Sequence, residues 1–312
     1  MQNKTEQFIN EVKKAIIGKD DILQKVFMSI LSGGHVLLED VPGVGKTTLA
    51  IAFSRVLGLE YKRVQFTSDS VPSDIIGFSV FDKQSGNFIY KPGAVMTNLL
   101  LADEINRTAS KTQSALLEVM EEGNVTVDGT THQVPSPFIV LATQNPVGSA
   151  GTQMLPNSQL DRFMICISMG YPDFESQINI LKDRHTDNPV HTLTALSNRD
   201  EIIGMQKNVS AVYISDPVYA YITSLAEKTR SHSLVSLGIS PRGALAVCQM
   251  AKAFAFVNGR DFVVPEDVTA IFGDVCAHRL VINPKARIAE KNAHMIIREI
   301  VDDIEMPLIK KR

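Results

Sequence analysis

The residues most suited to chemistry lie between positions 35 and 57, which read HVLLEDVPGVGKTTLAIAFSRVL. An apolar strand leads through a turn rich in proline and glycine into Lys46, and an apolar-periodic helix follows. Backbone amides at such a turn, with the positive end of the helix dipole, bind polyphosphates. The turn residues that we expect to contact a nucleotide are Pro42, Gly43, Val44, Gly45, Lys46, Thr47 and Thr48.

Each part of this turn has a separate expected role. Lys46 would reach the β- and γ-phosphates, and the Thr47 hydroxyl would bind Mg²⁺. In the pattern G-x-x-x-x-G-K-[ST] the first glycine falls on Asp40, so only Gly45, Lys46 and Thr47 match strictly. A plain strand-to-helix connection is the alternative, but a Lys-Thr pair opening the helix has no packing reason to be there.

Two further strands are predicted to end in polar residues. The apolar run 97–102 ends in Asp103 and Glu104, and the run 137–143 ends in Gln144, Asn145 and Pro146. Such runs are typical of buried parallel strands, which carry function at their carboxyl ends. Asp103 would hold the Mg²⁺ and Glu104 would polarise an attacking water. Asn145 could contact the γ-phosphate or orient that water, or it could form a simple Asn-Pro turn.

Two arginines are further candidates. Arg242 follows Ser240 and Pro241 at the predicted start of a long helix. A cation is unfavourable at a helix N-terminus unless an anion is near, and a phosphate of ATP would be such an anion. Arg162 lies in the sequence LDRF just before a predicted strand, and its role depends on the architecture.

The order of elements predicts two domains. Strands and helices alternate up to about residue 172, with hairpins at 77–92 and 123–134, and the pattern is helical from there to a last helix at 285–301. We therefore predict an α/β class of fold, with a nucleotide-binding core over 1–185 and a helical domain over 186–312.

Composition bears on two classes of function, nucleic-acid binding and membrane insertion. Thirty-one basic and 34 acidic residues give a formal charge of −3, which argues against a broadly basic nucleic-acid surface but leaves a local patch possible. The N-terminus lacks an apolar signal region, and no segment approaches the ~20 apolar residues of a membrane span. No membrane insertion and a cytoplasmic location are expected.

Taken together, these features resemble AAA+ ATPases, and most closely the MoxR family. The resemblance covers nearly the whole chain, and its motifs lie at 38–47, 101–107, 142–146, 160–163 and 240–243. It implies a five-stranded parallel core sandwiched by helices, an all-α lid, and a homo-oligomeric ring, usually a hexamer.

The resemblance also implies residue roles. Ile17 and Gly18 would line the adenine pocket, and Asn145 would help to place the lytic water. Arg242 would read the γ-phosphate of its own subunit, whereas Arg162 would act in the site of the neighbouring subunit. The two hairpins would face the pore and contact clients.

The sequence is compatible with three functions. The first is Mg²⁺-dependent ATP hydrolysis that drives chaperone-like remodelling or maturation of protein partners, often proteins with a von Willebrand factor A domain. The second is a motor or loader acting on nucleic acid. The third is a scaffold that binds ATP without useful turnover, although such a scaffold would not need the full set of candidate catalytic residues.

Overall fold

The computed structural model describes residues 2–145, 154–183 and 189–308. The elements before residue 184 are α1 Gln2–Lys13, α2 Asp20–Leu31, β1 Val36–Glu39, α3 Lys46–Val56, β2 Tyr61–Gln65, α4 Pro72–Ile76, β3 Gly77–Asp82, β4 Asn87–Pro92, β5 Leu99–Asp103, α5 Ser110–Glu122, β6 Asn124–Val127, β7 Thr130–Gln133, β8 Ile139–Gln144, α6 Asn157–Leu160, β9 Ile165–Ile167 and α7 Phe174–Asp183. The elements after residue 188 are α8 Arg199–Ser210, α9 Asp216–Ser231, β10 Val235–Leu237, α10 Pro241–Val257, α11 Pro265–Cys276, a 3₁₀ turn Ala277–Arg279, β11 Val281–Ile282, α12 Pro284–Ile288 and α13 Ala293–Asp303. The predicted boundary between 185 and 186 and the candidate motif residue Pro146 lie outside the described residues.

Five strands form one parallel sheet, in the order β2-β5-β8-β1-β9. The central strands β5 and β8 are buried along their whole length, as expected for parallel strands covered on both faces. Because the strands are parallel, the carboxyl ends of β1, β5 and β8 lie at the same edge. The predicted five-stranded α/β core is therefore confirmed.

Side chains that alternate along the strands supply two apolar cores. Val36 and Leu38 of β1 belong to one core, which α1, α2, α3 and the C-terminal helices complete. Leu37 belongs to the other core, which it shares with Leu116 of α5. Successive strand residues point to opposite faces, so each face of the sheet is covered by helices.

The C-terminal part is helical, but it differs from expectation in two places. A short antiparallel pair, β10 with β11, was not predicted. The single helix predicted at 285–301 is wrong, because α12 and α13 are separate. Glu290 between them has a positive φ of 53°, and the Asn292 side chain accepts a hydrogen bond from the Met295 amide at 2.9 Å, which starts a new helix. Within the described ranges, no helix is long and apolar enough to cross a membrane.

Two antiparallel hairpins project from the core and contact each other. The turn of β6–β7 is formed by Asp128 and Gly129, both at positive φ, as a tight two-residue turn requires. The Tyr90 ring of β4 stacks on the His132 ring of β7, with centroids 3.9 Å apart and planes 11° apart. This stack joins the two hairpins into one unit.

His35 is a buried residue at the amino end of β1. Its Nδ1 accepts a hydrogen bond from the Val140 amide at 3.0 Å, and its Nε2 lies 3.1 Å from the Met120 carbonyl oxygen. Burial lowers the pKa of His35 from its ordinary 6.5 to about 4. The ring is therefore neutral, with its proton on Nε2, and it links β1 to β8 and α5.

We expect this histidine to make stability depend on pH. In the unfolded chain His35 is protonated below about pH 6.5, whereas in the folded chain it stays neutral down to about pH 4. The free energy of unfolding therefore falls as the pH is lowered from 6.5 to 4. At pH 5 the loss should be about 2 kcal/mol. Urea unfolding at pH 7 and pH 5 should show this extra loss in the wild type relative to His35→Gln. Equal pH dependence in the two proteins would contradict the assignment.

Candidate functional site

The predicted phosphate turn lies between β1 and α3. Gly43 and Gly45 have φ values of 89° and 97°, which side chains of L-residues rarely adopt. A Cβ atom added to Gly43 would meet no heavy atom within 4 Å, so the turn faces open space there. Pro42 and Val44 complete the turn. The first amides of α3 lack partners within the helix, as at any helix start, and so suit an anion.

Lys46 folds back over the base of this turn. Its Nζ donates to the carbonyl oxygen of Asp40 at 2.7 Å and to that of Val41 at 3.4 Å, and only 8% of the residue is exposed. Burial lowers the pKa of Lys46, while the nearby carboxylates of Asp40, Asp103 and Glu104 oppose that shift. The ammonium group therefore lies where the phosphate turn meets the acidic pair.

Asp40 occupies the position of the missing glycine and has a structural role there. Its Oδ2 accepts hydrogen bonds from the Gly170 amide at 2.8 Å and the Ser168 hydroxyl at 3.1 Å, and its Oδ1 accepts from the Val41 amide at 3.0 Å. The carboxylate thus ties the start of the turn to the segment after β9. The residue that departs from the motif is therefore anchored by three hydrogen bonds.

The acidic pair is held by a residue that sequence analysis did not select, Thr143 of β8. Its hydroxyl donates to Asp103 Oδ1 at 2.6 Å and accepts from the Glu104 amide at 2.8 Å. Glu104 has left-handed backbone angles, φ 57° and ψ 47°, which cost about 1–3 kcal/mol in a residue other than glycine. The Thr143 hydroxyl therefore stabilises a strained turn that presents Glu104.

Asn145 connects the carboxylate of Glu104 to Lys46. Its Nδ2 donates to Glu104 Oε1 at 3.3 Å, and its Oδ1 accepts from Lys46 Nζ at 3.4 Å. Glu104 Oε2 also pairs with Arg107 at 2.7 Å. Asn145 is thus in a position to orient a group held between the acid and the phosphate turn.

The residues present suit Mg²⁺. The metal prefers oxygen ligands and is usually bound by one or two carboxylates together with substrate phosphates. Asp103 and Thr47, which follows Lys46 at the start of α3, offer such oxygens. The described residues contain no group of three or more His, Cys, Asp or Glu that could hold a metal ion. Arg63 of β2, another residue missed by sequence analysis, donates to Asp103 Oδ2 at 2.7 Å.

The candidate adenine contacts Ile17 and Gly18 lie near the same turn. The Cδ1 atom of the adjacent Ile16 is 3.9 Å from the place of a Cβ on Gly45. Gly18 has a φ of 72°, and a Cβ there would lie 2.1 Å from the Ser176 hydroxyl of α7. The close approach of α7 therefore requires glycine at position 18.

The two candidate arginines lie together at the opposite edge of the sheet. Glu121 at the end of α5 pairs with both: its Oε2 is 3.1 Å from Arg162 Nε, and its Oε1 binds Arg242. The cavity around them is lined by Gly33, Gly34 and His35, which precede β1, whereas Lys46 follows it. The four residues of β1, Val36–Glu39, separate the cavity from the phosphate turn and span about 13 Å.

That Arg242 reads the γ-phosphate of its own subunit stays a prediction, and the pairing of Arg242 with Glu121 does not favour it. The anion near Arg242 is the carboxylate of Glu121, because the start of α10 is bound to the segment before β9. Ser240 at that start donates to Asp161 Oδ2 at 2.9 Å. Arg162 and Arg242 both lie away from Lys46 of the same chain.

Comparison with known proteins shows what the chain is similar to. A family model described as "ATPase family associated with various cellular activities (AAA)" matches residues 35–165, and one described as "AAA lid domain" matches residues 227–300. The uncharacterised protein YeaC of Bacillus subtilis is 43% identical over 300 residues, which cover 96% of this chain and 94% of YeaC. Chaperone MoxR1 of Mycobacterium tuberculosis is 39% identical over 313 residues, covering 97% of this chain and 82% of MoxR1. A solved structure from Cytophaga hutchinsonii, of a protein provisionally named an ATPase, is 36% identical with a TM-score of 0.91 and covers 98% of this chain and 96% of its own.

The Thr143 bridge gives a direct prediction. Thr143→Val keeps the shape of the side chain but leaves the Glu104 amide without its acceptor and Asp103 Oδ1 without its donor. We expect ATP turnover to fall about 100-fold, because small displacements of reacting groups have costs of this order, while ATP affinity changes little. Thr143→Ser keeps the hydroxyl and should stay near wild type. Equal turnover in the valine and serine variants would contradict the bridge.

Proposed function

Because the chain belongs to the MoxR family of AAA+ ATPases, we propose that it hydrolyses ATP to ADP and phosphate and uses the energy to remodel or mature partner proteins. The main support is the convergence of Lys46, Glu104 and Asn145 at one edge of the sheet, through hydrogen bonds of 3.3 and 3.4 Å. A base, an orienting amide and a phosphate-binding cation are the groups that this reaction needs. A scaffold without turnover would have no use for the strained turn at Glu104.

In this proposal each residue of the site has one role. The turn 42–48 binds the phosphates, and Lys46 exchanges its carbonyl partners for the β- and γ-phosphates. Thr47 and Asp103 would hold Mg²⁺, and the metal would supply positive charge that neutralises the phosphates. Glu104 accepts the proton of the attacking water, and Asn145 keeps that water in line. Ile17 and Gly18 bind the adenine.

We further propose that the active assembly is a homo-oligomeric ring, expected to be a hexamer. Arg162 and Arg242 lie at the edge opposite Lys46, which supports a role at a phosphate bound to an adjacent chain. There they would neutralise charge that develops on the transferred phosphoryl group. An arginine in this role contributes about 10³–10⁵ in rate.

The hairpins β3–β4 and β6–β7 are the proposed contacts for clients. Phe81 and Phe88 of the first hairpin are 53% and 72% exposed, and exposed apolar side chains in a group are typical of interaction sites. Proteins with a von Willebrand factor A domain are the proposed class of client. The formal charge of −3 weighs against the alternative of a nucleic-acid motor.

The remaining sequence-based expectations stay part of this proposal. The core extends over residues 1–185 and the lid over 186–312. The proposed location of the protein is the cytoplasm.

Mixing two inactive variants tests the proposed function. Lys46→Ala cannot bind phosphates and Arg162→Ala cannot assist its neighbour, so each alone should hydrolyse ATP far more slowly than wild type. In an equal mixture, roughly a quarter of the interfaces pair an intact Lys46 with an intact Arg162, since each neighbour is correct half the time. ATP turnover of the mixture should therefore exceed that of either variant. Turnover no higher than that of the more active variant would contradict action between subunits.

A further inference from the structure

Arg279 is a buried cation in the lid, and most of its hydrogen bonds are made to one segment of the core. Its side chain is 3% exposed. Its Nε donates to Asp161 Oδ1 at 2.7 Å, and its Nη2 donates to the carbonyl oxygens of Asp161 at 3.0 Å and Phe163 at 2.6 Å. Its Nη1 donates to Met164 O at 3.2 Å and also to Val275 O. One guanidinium thus binds the main chain on both sides of Arg162.

The hydrogen bonds of Arg279 orient the main chain that they contact. A buried charge is costly unless every donor is paired, and apolar residues of similar volume often stabilise a core as well or better. The specific contribution of a planar guanidinium is geometric, because its donors have fixed directions. Here those directions fix the main chain of residues 161–164, and with it the origin of the Arg162 side chain.

The same network reaches the segment that carries Arg242. Asp161, which pairs with Arg279 through Oδ1, accepts a hydrogen bond from Ser240 through Oδ2 at 2.9 Å. Ser240 in turn caps α10 by accepting from the Gly243 amide at 3.0 Å. A Cβ on Gly243 would lie 3.0 Å from Arg279 Cδ, so the Arg279 stem packs directly on the first turn of α10.

We propose that Arg279 is a positioning residue, which holds Arg162 of the core and Arg242 of the lid side by side so that both reach the phosphate bound by the neighbouring subunit. The proposal rests on the proposed function. Glu121 completes the arrangement in the free chain by pairing with both guanidinium groups. Arg279 itself, being buried, contacts neither nucleotide nor neighbour in this proposal.

The test uses Arg279→Lys in the full-length protein. A lysine has a single ammonium group and cannot bind Asp161, Phe163 and Met164 together. We expect ATP turnover to fall about 100-fold, the order of loss for a displaced catalytic group, while calorimetric ATP affinity stays near wild type. The matched control is Arg260→Lys, which changes another lid arginine paired with a buried aspartate, Asp267, at 2.5 and 2.7 Å. That control should keep turnover near wild type.

Mixing Arg279→Lys with Lys46→Ala distinguishes misplaced arginines from damage to the subunit's own nucleotide site. Arg279→Lys keeps an intact Lys46, so an equal mixture with Lys46→Ala should regain turnover, because the Lys46→Ala neighbours supply correctly placed arginines. A subunit damaged in its own site could not be rescued in this way. If Arg279→Lys fails to fold, Ser240→Ala serves instead: it removes the bond to Asp161 and should show a smaller loss with the same rescue.

The outcomes are distinguishable. Wild-type turnover in Arg279→Lys, or no rescue where Arg162→Ala is rescued, would overturn the role of Arg279 and leave the proposed function intact. A failure of Arg162→Ala itself to be rescued would overturn the action between subunits and, with it, this inference. Loss with rescue in Arg279→Lys, and neither in Arg260→Lys, is the result that the proposal predicts.

Discussion

The parallel sheet separates the candidate catalytic groups into two sets, one at each end of its strands. All five strands run in the same direction, so their carboxyl ends lie along one side of the sheet. The phosphate turn and the acidic pair follow such ends and therefore lie close together. The segments that precede β1 and β9 meet at the amino edge, where Arg162 and Arg242 lie. The intervening strand spans about 13 Å, which is farther than an arginine side chain reaches. We infer that a complete site needs two chains.

Buried hydrogen bonds keep each half of this divided site in place. Thr143 holds the strained turn at Glu104, and Asp40 ties the phosphate turn to the segment after β9. At the other edge Arg279 binds the main chain around Arg162 and contacts the start of α10. Unpaired polar groups are costly in the interior, so these bonds also specify one arrangement of the loops.

The sequence alone predicted the features that depend on local order along the chain. Four of the five strands follow from apolar runs, and β2 follows from the alternation of apolar and polar residues. The approximate positions of Lys46, Asp103 and Asn145 follow from their places at the ends of strands. Contacts between distant residues left no such signal. Arg63 and Asp103 are 40 positions apart, and Arg242 and Glu121 are 121 apart, so only the folded chain shows that they pair. Sequence position alone therefore predicts a phosphate near Arg242, and only the folded chain shows Glu121 there.

The most direct test of the divided site is a structure of the Glu104→Gln variant with ATP and Mg²⁺. We expect a ring in which Arg162 and Arg242 of one subunit leave Glu121, with their donor nitrogens about 3 Å from the γ-phosphate held by Lys46 of the next subunit. Arg242 bound to the phosphate of its own subunit, or a γ-phosphate contacted by neither arginine, would contradict the divided site.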